Sequence, residues 1–188
     1  MRVLVGEDET LIRLDLRGVL EAAGFDVCAE ASDGEEAVEL ARTEQPDIAV
    51  LDVKMPKLDG IETARRILDE RPIPIVIVSA YTEASLVARA AEAGVFGYLA
   101  KPFREEDLLP AIATARARFG ELTAVREQVD TLADALAARK AIERAKGILM
   151  AKQSLTEEAA FARLRKASQS SGRPMRMIAE AIIETFSS

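Results

Sequence analysis

Three carboxylates, one hydroxyl and one ammonium in this sequence together have the chemistry to hold a divalent cation and to accept a phosphoryl group. Glu7 and Asp8 follow the first apolar run of the chain, Asp52 and Ser79 end the third and fourth runs, and Lys101 follows the fifth. Three carboxylates that meet at one place repel one another unless a cation neutralises them, and an oxygen donor set suits Mg²⁺. A carboxylate beside such a metal can attack phosphorus and form an aspartyl phosphate.

Each of these residue types fits one role in that chemistry. Asp52 is the central carboxylate and therefore the candidate nucleophile. Lys101 would pair with the phosphoryl group as a point charge, and Ser79 would donate its hydroxyl to a phosphoryl oxygen. Taken singly, each residue is better explained as a solvated surface group. Because these residues all follow apolar runs, they are better explained together as one functional site.

Five short apolar runs, several of them rich in β-branched residues, must position these groups. They lie at 3–5, 27–31, 48–51, 75–78 and 97–100, and each precedes polar or turn-forming residues. Helical patterns separate them, and this alternation predicts right-handed crossovers and a parallel sheet covered on both faces, an α/β fold. Ligands of such sheets bind beyond the carboxyl ends of the strands, which is where the polar groups lie.

After Pro102 the pattern becomes helical, with a predicted bend at Pro110 because proline removes a backbone hydrogen bond. Five apolar residues further on follow the 3-4-3-4 spacing of a heptad seam: Leu122, Val125, Val129, Leu132 and Leu136. The seam is barely two heptads long. The seam can therefore pack against its own chain or form a dimeric coiled coil, and the sequence does not decide between the two.

Two more helices are predicted near the C-terminus, one from Thr156 and one from Pro174. Glu157 and Glu158 suit the positive N-terminus of the first of these helices. Together with the end of the long helix they form a three-helix unit. Its expected apolar set includes Ile142, Leu149, Phe161, Leu164, Ile178 and Ile182.

Charge is distributed unevenly along the chain. The formal net charge of the 188 residues is -7, but residues 1–120 carry -9 and residues 121–188 carry +2. Between Arg139 and Arg176, ten basic residues stand against three acidic ones. Such a stretch indicates an anionic partner, and composition alone leaves RNA, DNA and an acidic protein open. Two domains with different functions are expected.

Several classes of protein are excluded or disfavoured by composition. The histidine count of 0 excludes a Ser-His-Asp triad, a Cys-His pair and a His-bound zinc site, and the single Cys28 excludes an internal disulfide. No apolar run approaches the roughly 20 residues of a membrane span. The acidic start is unlike a secretory signal peptide. The sequence therefore predicts a cytoplasmic protein with no membrane partner.

Four segments carry a resemblance to a known family: Val5-Gly6-Glu7-Asp8-Glu9, Leu51-Asp52-Val53-Lys54-Met55-Pro56 with Asp59-Gly60, Val78-Ser79-Ala80, and Tyr98-Leu99-Ala100-Lys101-Pro102-Phe103. With them, residues 1 to 118 resemble the receiver domain of bacterial two-component response regulators. The resemblance implies a flavodoxin-like five-stranded parallel sheet of order 2-1-3-4-5. It also implies that a sensor histidine kinase phosphorylates Asp52, and because this chain has no histidine the kinase must be another protein.

The receiver resemblance also implies roles for further residues. Ser79 and Tyr98 would form a switch, in which the hydroxyl moves towards the phosphoryl group and the aromatic ring turns inward. The Lys101-Pro102 peptide bond would be cis. The implied cofactor is Mg²⁺, with its ligands taken from Glu7, Asp8, Asp52 and the backbone carbonyl of Lys54.

The basic stretch carries a second resemblance, in the run Arg139-Lys140-Ala141-Ile142-Glu143-Arg144-Ala145-Lys146-Gly147-Ile148-Leu149-Met150 and in Ala160-Phe161, Leu164-Arg165 and Ile178-Ala179. It resembles the ANTAR domain, which implies binding of paired hairpins in nascent RNA and transcription antitermination. Ser154 departs from the family's usual helix-ending glycine, and Ser168 from a small alanine. The implied RNA-contact residues are Arg139, Lys140, Arg144, Lys146 and Arg165, with Ala145 and Gly147 allowing close approach.

Both resemblances together predict a receiver domain at 1–118, a coiled-coil-like helical linker at 119–138 and a three-helix ANTAR domain at 139–188. Phosphorylation of Asp52 would shift the receiver between two states and thereby change RNA binding. A phosphorylation-dependent homodimer is one route, since two basic units raise avidity, and release of an intramolecular lock is the other. The chain is expected to be a regulator rather than an enzyme.

Two other functions are open from the sequence. The C-terminal helices can instead bind duplex DNA through a major groove, or a protein partner. A Mg²⁺-dependent phosphatase acting through Asp52 would need a second acid-base carboxylate two residues further on, where this chain has Lys54.

Overall fold

A computed structural model describes residues 1–80 and 83–187, and the chain divides after Thr123 into two compact units. The first unit contains five parallel strands in the order β2-β1-β3-β4-β5, which confirms the predicted α/β fold and strand order. The strands are β1 (Arg2–Gly6), β2 (Asp26–Ala31), β3 (Ile48–Asp52), β4 (Ile75–Ser79) and β5 (Gly97–Ala100).

Four helices connect these strands, and a fifth begins after the last strand. Side-chain caps start two of them, since Asp33 and Asp59 each accept a hydrogen bond from a backbone N–H three residues on, at 2.9 and 2.7 Å. The helices are α1 (Thr10–Ala22), α2 (Gly34–Glu44), α3 (Gly60–Glu70), α4 (Ala84–Glu92) and α5 (Glu105–Gln153).

The strands separate two apolar cores because alternate residues point to opposite faces of the sheet. Leu51 and Ile77 face α2, α3 and α4, whereas Val50 and Val76 face α1 and the first turns of α5. β3 and β4 are buried along their whole length, as central strands of a doubly covered parallel sheet should be. The carboxyl ends of both strands are therefore held by packing on two sides.

The long helix α5 continues through Pro110. Proline there removes the hydrogen bond to the carbonyl of Glu106, near the start of the helix. The bend expected at Pro110 stays a prediction. Further along α5, four of the five heptad residues are exposed on the helix surface: Val125, Val129, Leu132 and Leu136.

The second unit contains the end of α5 together with α6 (Glu157–Ser171) and α7 (Met175–Ser187). Thr156 caps α6 by accepting a hydrogen bond from the N–H of Ala159 at 3.3 Å, and this confirms the predicted start of that helix. The core of the unit is built from small and aliphatic residues. They are Ala145, Leu149, Ala160, Leu164 and Ala179, surrounded by half-buried residues that include Ile142, Ile178 and Ile182.

The core role predicted for Phe161 is wrong. Its side chain is 41% exposed, and Ala160 occupies the buried position on α6. Ala160 and Leu164 lie four residues apart on one face of the helix, whereas Phe161 lies about 100° further round. Alanines on all three helices keep the core narrow, so a phenyl ring has no place in it.

Within the described residues, every helix is too short or too polar to cross a lipid bilayer.

Ser154 and Ser168 lie at or near the ends of helices in the second unit. Ser168 donates a hydrogen bond from its hydroxyl to the carbonyl of Arg173 at 2.7 Å, so its polar group is satisfied. Ser154, directly after α5, has a φ of 54°, the left-handed conformation that glycine adopts without strain. The side chain at position 154 therefore imposes a conformational penalty on the end of α5.

We expect Ser154→Gly to stabilise the second unit by about 0.5–1 kcal/mol, because the left-handed strain removed exceeds the chain entropy that glycine adds. Urea unfolding followed by circular dichroism measures this change. Ser154→Ala is the matched control and should lose stability or leave it unchanged, since alanine keeps a Cβ. A glycine variant no more stable than the alanine variant would contradict the strain.

Candidate functional site

The predicted site residues meet at the carboxyl edge of the sheet. Glu7 follows β1, Asp52 ends β3, Ser79 ends β4 and Lys101 follows β5. Because β1, β3, β4 and β5 are neighbours in the sheet, these four chain positions are adjacent in space. Asp8 follows Glu7 and is exposed to solvent.

The Lys101 ammonium joins the two buried carboxylates. Its Nζ lies 2.5 Å from Glu7 Oε2 and 2.8 Å from Asp52 Oδ1. Only 1% of Glu7 and 5% of Asp52 are exposed. Asp52 Oδ2 accepts a further hydrogen bond from the Lys54 N–H at 2.9 Å, and this contact orients the carboxylate.

Burial and charge act on these groups in opposite directions. Burial raises the pKa of Glu7, and the neighbouring Asp52 carboxylate adds to this, although the hydrogen bond from Lys101 lowers it. Burial lowers the pKa of Lys101, but hydrogen bonds to Asp52 and Glu7 outweigh it, and the net shift is upward. Lys101 therefore stays protonated at neutral pH and supplies a permanent positive charge.

The carboxylates of Glu7, Asp8 and Asp52 fit a divalent cation. One oxygen from each lies within 4.8 Å of the others, so a single ion can reach all three. With the Lys101 ammonium included, the cluster keeps two net negative charges, which a divalent cation balances. An all-oxygen donor set open to water on one side is typical of Mg²⁺, which binds few protein ligands and keeps several waters.

A cleft of about 620 Å³ opens above this cluster. Asp52, Ser79 and Lys101 all line it, so the candidate nucleophile, hydroxyl and ammonium share one solvent space. The Ser79 carbonyl accepts a hydrogen bond from the Lys101 N–H at 2.7 Å, which ties the ends of β4 and β5 together. The structure therefore brings these three predicted residues into one site.

Other receiver features lie beside the cleft. The Lys101-Pro102 peptide bond is cis, which confirms the expectation from the resemblance. Tyr98 lies on β5, half-buried against the core that faces α2, α3 and α4. Arg89 on α4 pairs with the α3 cap residue Asp59 at 2.9 Å, a link that the sequence did not reveal because the two residues are 30 positions apart.

Gly60 supports the site by allowing a close approach. A Cβ at this position would lie 1.8 Å from the Asp52 carbonyl oxygen, and its N–H donates to the Val53 carbonyl at 2.9 Å. Any side chain would push α3 away from the backbone of the candidate nucleophile. Sequence reasoning placed Gly60 in a motif but did not assign this role.

The predicted RNA-contact residues fall into two groups in the second unit. Arg139, Lys140, Arg144 and Arg165 are exposed, and none forms an ion pair or side-chain hydrogen bond with the described residues. Gly147 is exposed too, and a Cβ there would meet nothing within 4 Å. All five are accessible to a ligand.

Ala145 and Lys146 are placed differently. Ala145 is fully buried in the three-helix core, so the predicted close approach to RNA at this residue is wrong, and its small side chain serves helix packing. Lys146 is only 7% exposed, and its Nζ contacts Glu143 at 3.0 Å and Glu157 at 2.6 Å. Those two hydrogen bonds raise the pKa of Lys146, with the Glu157 contact the stronger.

Three more exposed cations were missed as individual candidates. The side chains of Lys152, Lys166 and Arg173 are exposed, and these side chains form no ion pair or hydrogen bond with the described residues. The sequence contained a usable signal, because none of them has an acidic residue three or four positions away to pair with along a helix.

Comparisons with known proteins agree with this geometry. Residues 3–113 match the response regulator receiver domain family, and residues 130–183 match the ANTAR domain family. The transcriptional regulatory protein PdtaR of Mycobacterium tuberculosis is 46% identical over 185 residues, which cover 98% of this chain and 90% of PdtaR.

Other similar proteins match over a smaller share of the chain. A protein-glutamate methylesterase/protein-glutamine glutaminase of Natronomonas pharaonis is 39% identical over 104 residues, covering 54% of this chain and 29% of that protein. Among solved structures, a chain of the CheX-CheY-BeF3-Mg²⁺ complex of Borrelia burgdorferi matches with a TM-score of 0.58 and 28% identity. That match covers 60% of this chain and 86% of that chain.

We expect Lys101→Met to lower the free energy of unfolding by about 1–3 kcal/mol in EDTA, because two buried carboxylates lose their counter-charge. Saturating Mg²⁺ should stabilise this variant more than the natural protein, since the metal replaces the missing positive charge. Urea unfolding with and without Mg²⁺ measures both effects.

The matched control for the loss of this ammonium is Lys57→Met. Lys57 pairs with Asp33 at 2.7 Å while 55% of the Lys57 side chain stays exposed, so its replacement should show little change in stability or Mg²⁺ response. Equal stabilisation of all three proteins by Mg²⁺ would contradict the role of Lys101 as the counter-ion of the site.

We expect Gly60→Ala to lower stability by about 2–3 kcal/mol and to weaken Mg²⁺ binding, because the new methyl group displaces the backbone of Asp52. Gly18→Ala is the matched control. Gly18 lies inside α1 with nothing near its Cβ position, so alanine there should stabilise the helix by about 0.5–1 kcal/mol. Urea unfolding and calorimetric Mg²⁺ titration test the pair, and similar effects of both substitutions would contradict the close contact.

Proposed function

The chain belongs to the response regulators that join a receiver domain to an ANTAR domain, and we propose that it is a phosphorylation-controlled RNA-binding regulator of transcription antitermination. The observation that carries this proposal is the Lys101 ammonium held between the buried carboxylates of Glu7 and Asp52 at the carboxyl edge of the sheet. That arrangement presents Asp52 to phosphorus and offsets the charge of the transferred group.

Phosphoryl transfer to Asp52 follows from the roles of the surrounding side chains. An Asp52 carboxylate oxygen forms the new P–O bond while the P–N bond of a phosphohistidine breaks, and the histidine nitrogen takes the leaving electron pair. The donor is a sensor histidine kinase on another chain, because this chain has no histidine. Lys101 pairs with the phosphoryl oxygens, and the Ser79 hydroxyl donates to one of them.

The donor set of Glu7, Asp8, Asp52 and the Lys54 carbonyl is proposed to hold Mg²⁺, which offsets the charge on the transferring oxygens when bound. The related fold in the Borrelia burgdorferi complex with BeF3 and Mg²⁺ supports this assignment.

Ser79 and Tyr98 are proposed to read out the phosphorylated state. Ser79 lies in the cleft with Asp52, and Tyr98 lies on the neighbouring strand β5 at half-burial, a position from which its ring can turn inward. Phosphorylation would then favour one of two pre-existing receiver conformations.

The second unit is proposed to bind hairpin RNA through its exposed cations. Seven basic side chains between residues 139 and 173 are exposed and unpaired among the described residues, and phosphates can neutralise them without breaking an internal contact. These residues are Arg139, Lys140, Arg144, Lys152, Arg165, Lys166 and Arg173. Duplex DNA or a protein partner is the alternative ligand for the same surface.

Phosphorylation is proposed to act through a homodimer. Val125, Val129, Leu132 and Leu136 are exposed at heptad spacing on α5, and a second copy of this helix would cover them. A dimer presents two basic units to two hairpins and so raises avidity without new contacts. We propose residues 1–118, 119–138 and 139–188 as the receiver, linker and ANTAR segments.

We propose that the chain is not itself an enzyme for outside substrates. Lys54 stands two residues after Asp52, where a phosphatase using Asp52 as nucleophile would need a second carboxylate. The match to the methylesterase relative extends over 104 residues, which is 54% of this chain and 29% of that protein.

We expect the natural protein to bind a two-hairpin RNA about tenfold more tightly with beryllofluoride and Mg²⁺ than without, because the dimer binds both hairpins at once. A tenfold change corresponds to about 1.4 kcal/mol of binding free energy. Asp52→Asn should abolish the difference, since the amide cannot form the acyl-phosphate mimic. Fluorescence anisotropy measures affinity, and light scattering measures the mass of the protein.

Duplex DNA of the same length is the control ligand. Preference for DNA would reject the RNA assignment, and RNA binding that ignores both beryllofluoride and Asp52 would reject the phosphorylation switch. An unchanged monomer mass in the activated state would reject the dimer route alone.

A further inference from the structure

The aromatic residues are packed differently in the two units. In the first unit, Phe25, Phe96 and Phe103 pack against the core, and Phe119 meets Phe96 edge-on with ring centroids 6.4 Å apart. In the second unit, Phe161 and Phe186 are 41% and 40% exposed. Among the described residues, the two exposed phenylalanine rings therefore lie in the unit that carries the basic stretch from Arg139 to Arg176.

Phe161 lies outside the buried core of the second unit. The buried face of α6 is formed by Ala160 and Leu164, and Phe161 lies about 100° round the helix from Ala160 with 41% of its surface in water. Exposed apolar surface costs about 25 cal/mol for each Å² left in water, so a phenylalanine there is unfavourable for the isolated unit. A ligand that covers the ring would remove this cost.

The charges around Phe161 favour an anionic ligand on one side. Arg165 lies one turn further along α6 on the same side of the helix, exposed and without an ion pair among the described residues. Glu157 lies one turn before Phe161, and its carboxylate shares the Lys146 ammonium with Glu143, at 2.6 and 3.0 Å, so its charge is offset in part. Glu158 is exposed at the start of the helix, so a phosphate would lie towards Arg165.

An aromatic face beside a free guanidinium matches the chemistry of an unpaired nucleotide. A base flipped out of an RNA loop stacks on the ring, and its phosphate bonds to the arginine. Bases inside a duplex are already stacked on their neighbours and cannot use such a ring. We therefore propose that Phe161 is a base-stacking residue for an unpaired loop base, with Arg165 binding the adjoining phosphate. This inference rests on the proposed RNA-binding function.

The test uses the full chain with beryllofluoride, Mg²⁺ and a synthetic RNA of two short hairpins. Phe161→Ala should weaken binding about tenfold, within the range measured for loss of one stacked base. Phe161→Leu should weaken it similarly, because leucine keeps the apolar surface but has no π face. Arg165→Ala should reduce the slope of log affinity against log salt by about 1, whereas the Phe161 variants should leave that slope unchanged.

A spectroscopic readout separates stacking from a structural effect. The chain contains no tryptophan, so Phe161→Trp introduces a single fluorophore at the proposed contact. This variant should keep its affinity, and its emission should be quenched when the hairpin RNA binds. Phe186→Trp is the matched control, because the residues three and four positions before it are Ile183 and Ile182 rather than cations. Its emission should not change.

The outcomes separate this inference from the proposed function. If the natural protein binds the RNA but Phe161→Ala and Phe161→Leu bind equally well, the stacking assignment is overturned and RNA binding stands. If those variants change the mass of the protein instead, Phe161 belongs to a contact between copies of the chain. Failure of the natural protein to bind the RNA would overturn the function and the inference together. Circular dichroism confirms that each variant is folded.

Discussion

The Lys101 ammonium between Glu7 and Asp52 is the interaction on which the receiver unit depends. Two carboxylates buried this deeply cannot both stay ionised beside each other without a counter-charge. Lys101 supplies one positive charge and so lets the sheet carry an acidic cluster at its edge. The negative charge that remains fits a divalent cation, so the same ion pair underlies both the stability of the acidic cluster and the phosphoryl transfer that we propose.

The surrounding fold keeps these groups at contact distance. β3 and β4 are buried on both faces, so the backbone that ends at Asp52 and Ser79 has little freedom to move. Gly60 lets the start of α3 lie against the Asp52 carbonyl, and the Lys54 N–H fixes one carboxylate oxygen. The Asp52 carboxylate is therefore oriented by main-chain contacts, and it lines the cleft.

The second unit shows how a small core shapes a binding surface. Alanines bring the three helices close together, and this narrow core leaves Phe161 on the outside. Among the described residues of this unit, Lys146 is the one buried lysine, and its ammonium is shared between Glu157 and Glu143, so it offsets one of their two negative charges. Its charge thus acts indirectly, by lowering the repulsion that an approaching phosphate would meet, while the exposed cations remain available for direct contact.

The sequence alone determined the α/β fold, the strand order implied by the receiver motifs and the set of polar residues at the strand ends, because apolar runs and turn residues are local signals. It also predicted the cap at Thr156. Only the tertiary structure decided which side chains of the second unit face water. Ala145, Lys146 and Phe161 were misjudged or left open, since their burial depends on how closely three helices pack, and no local pattern records that distance.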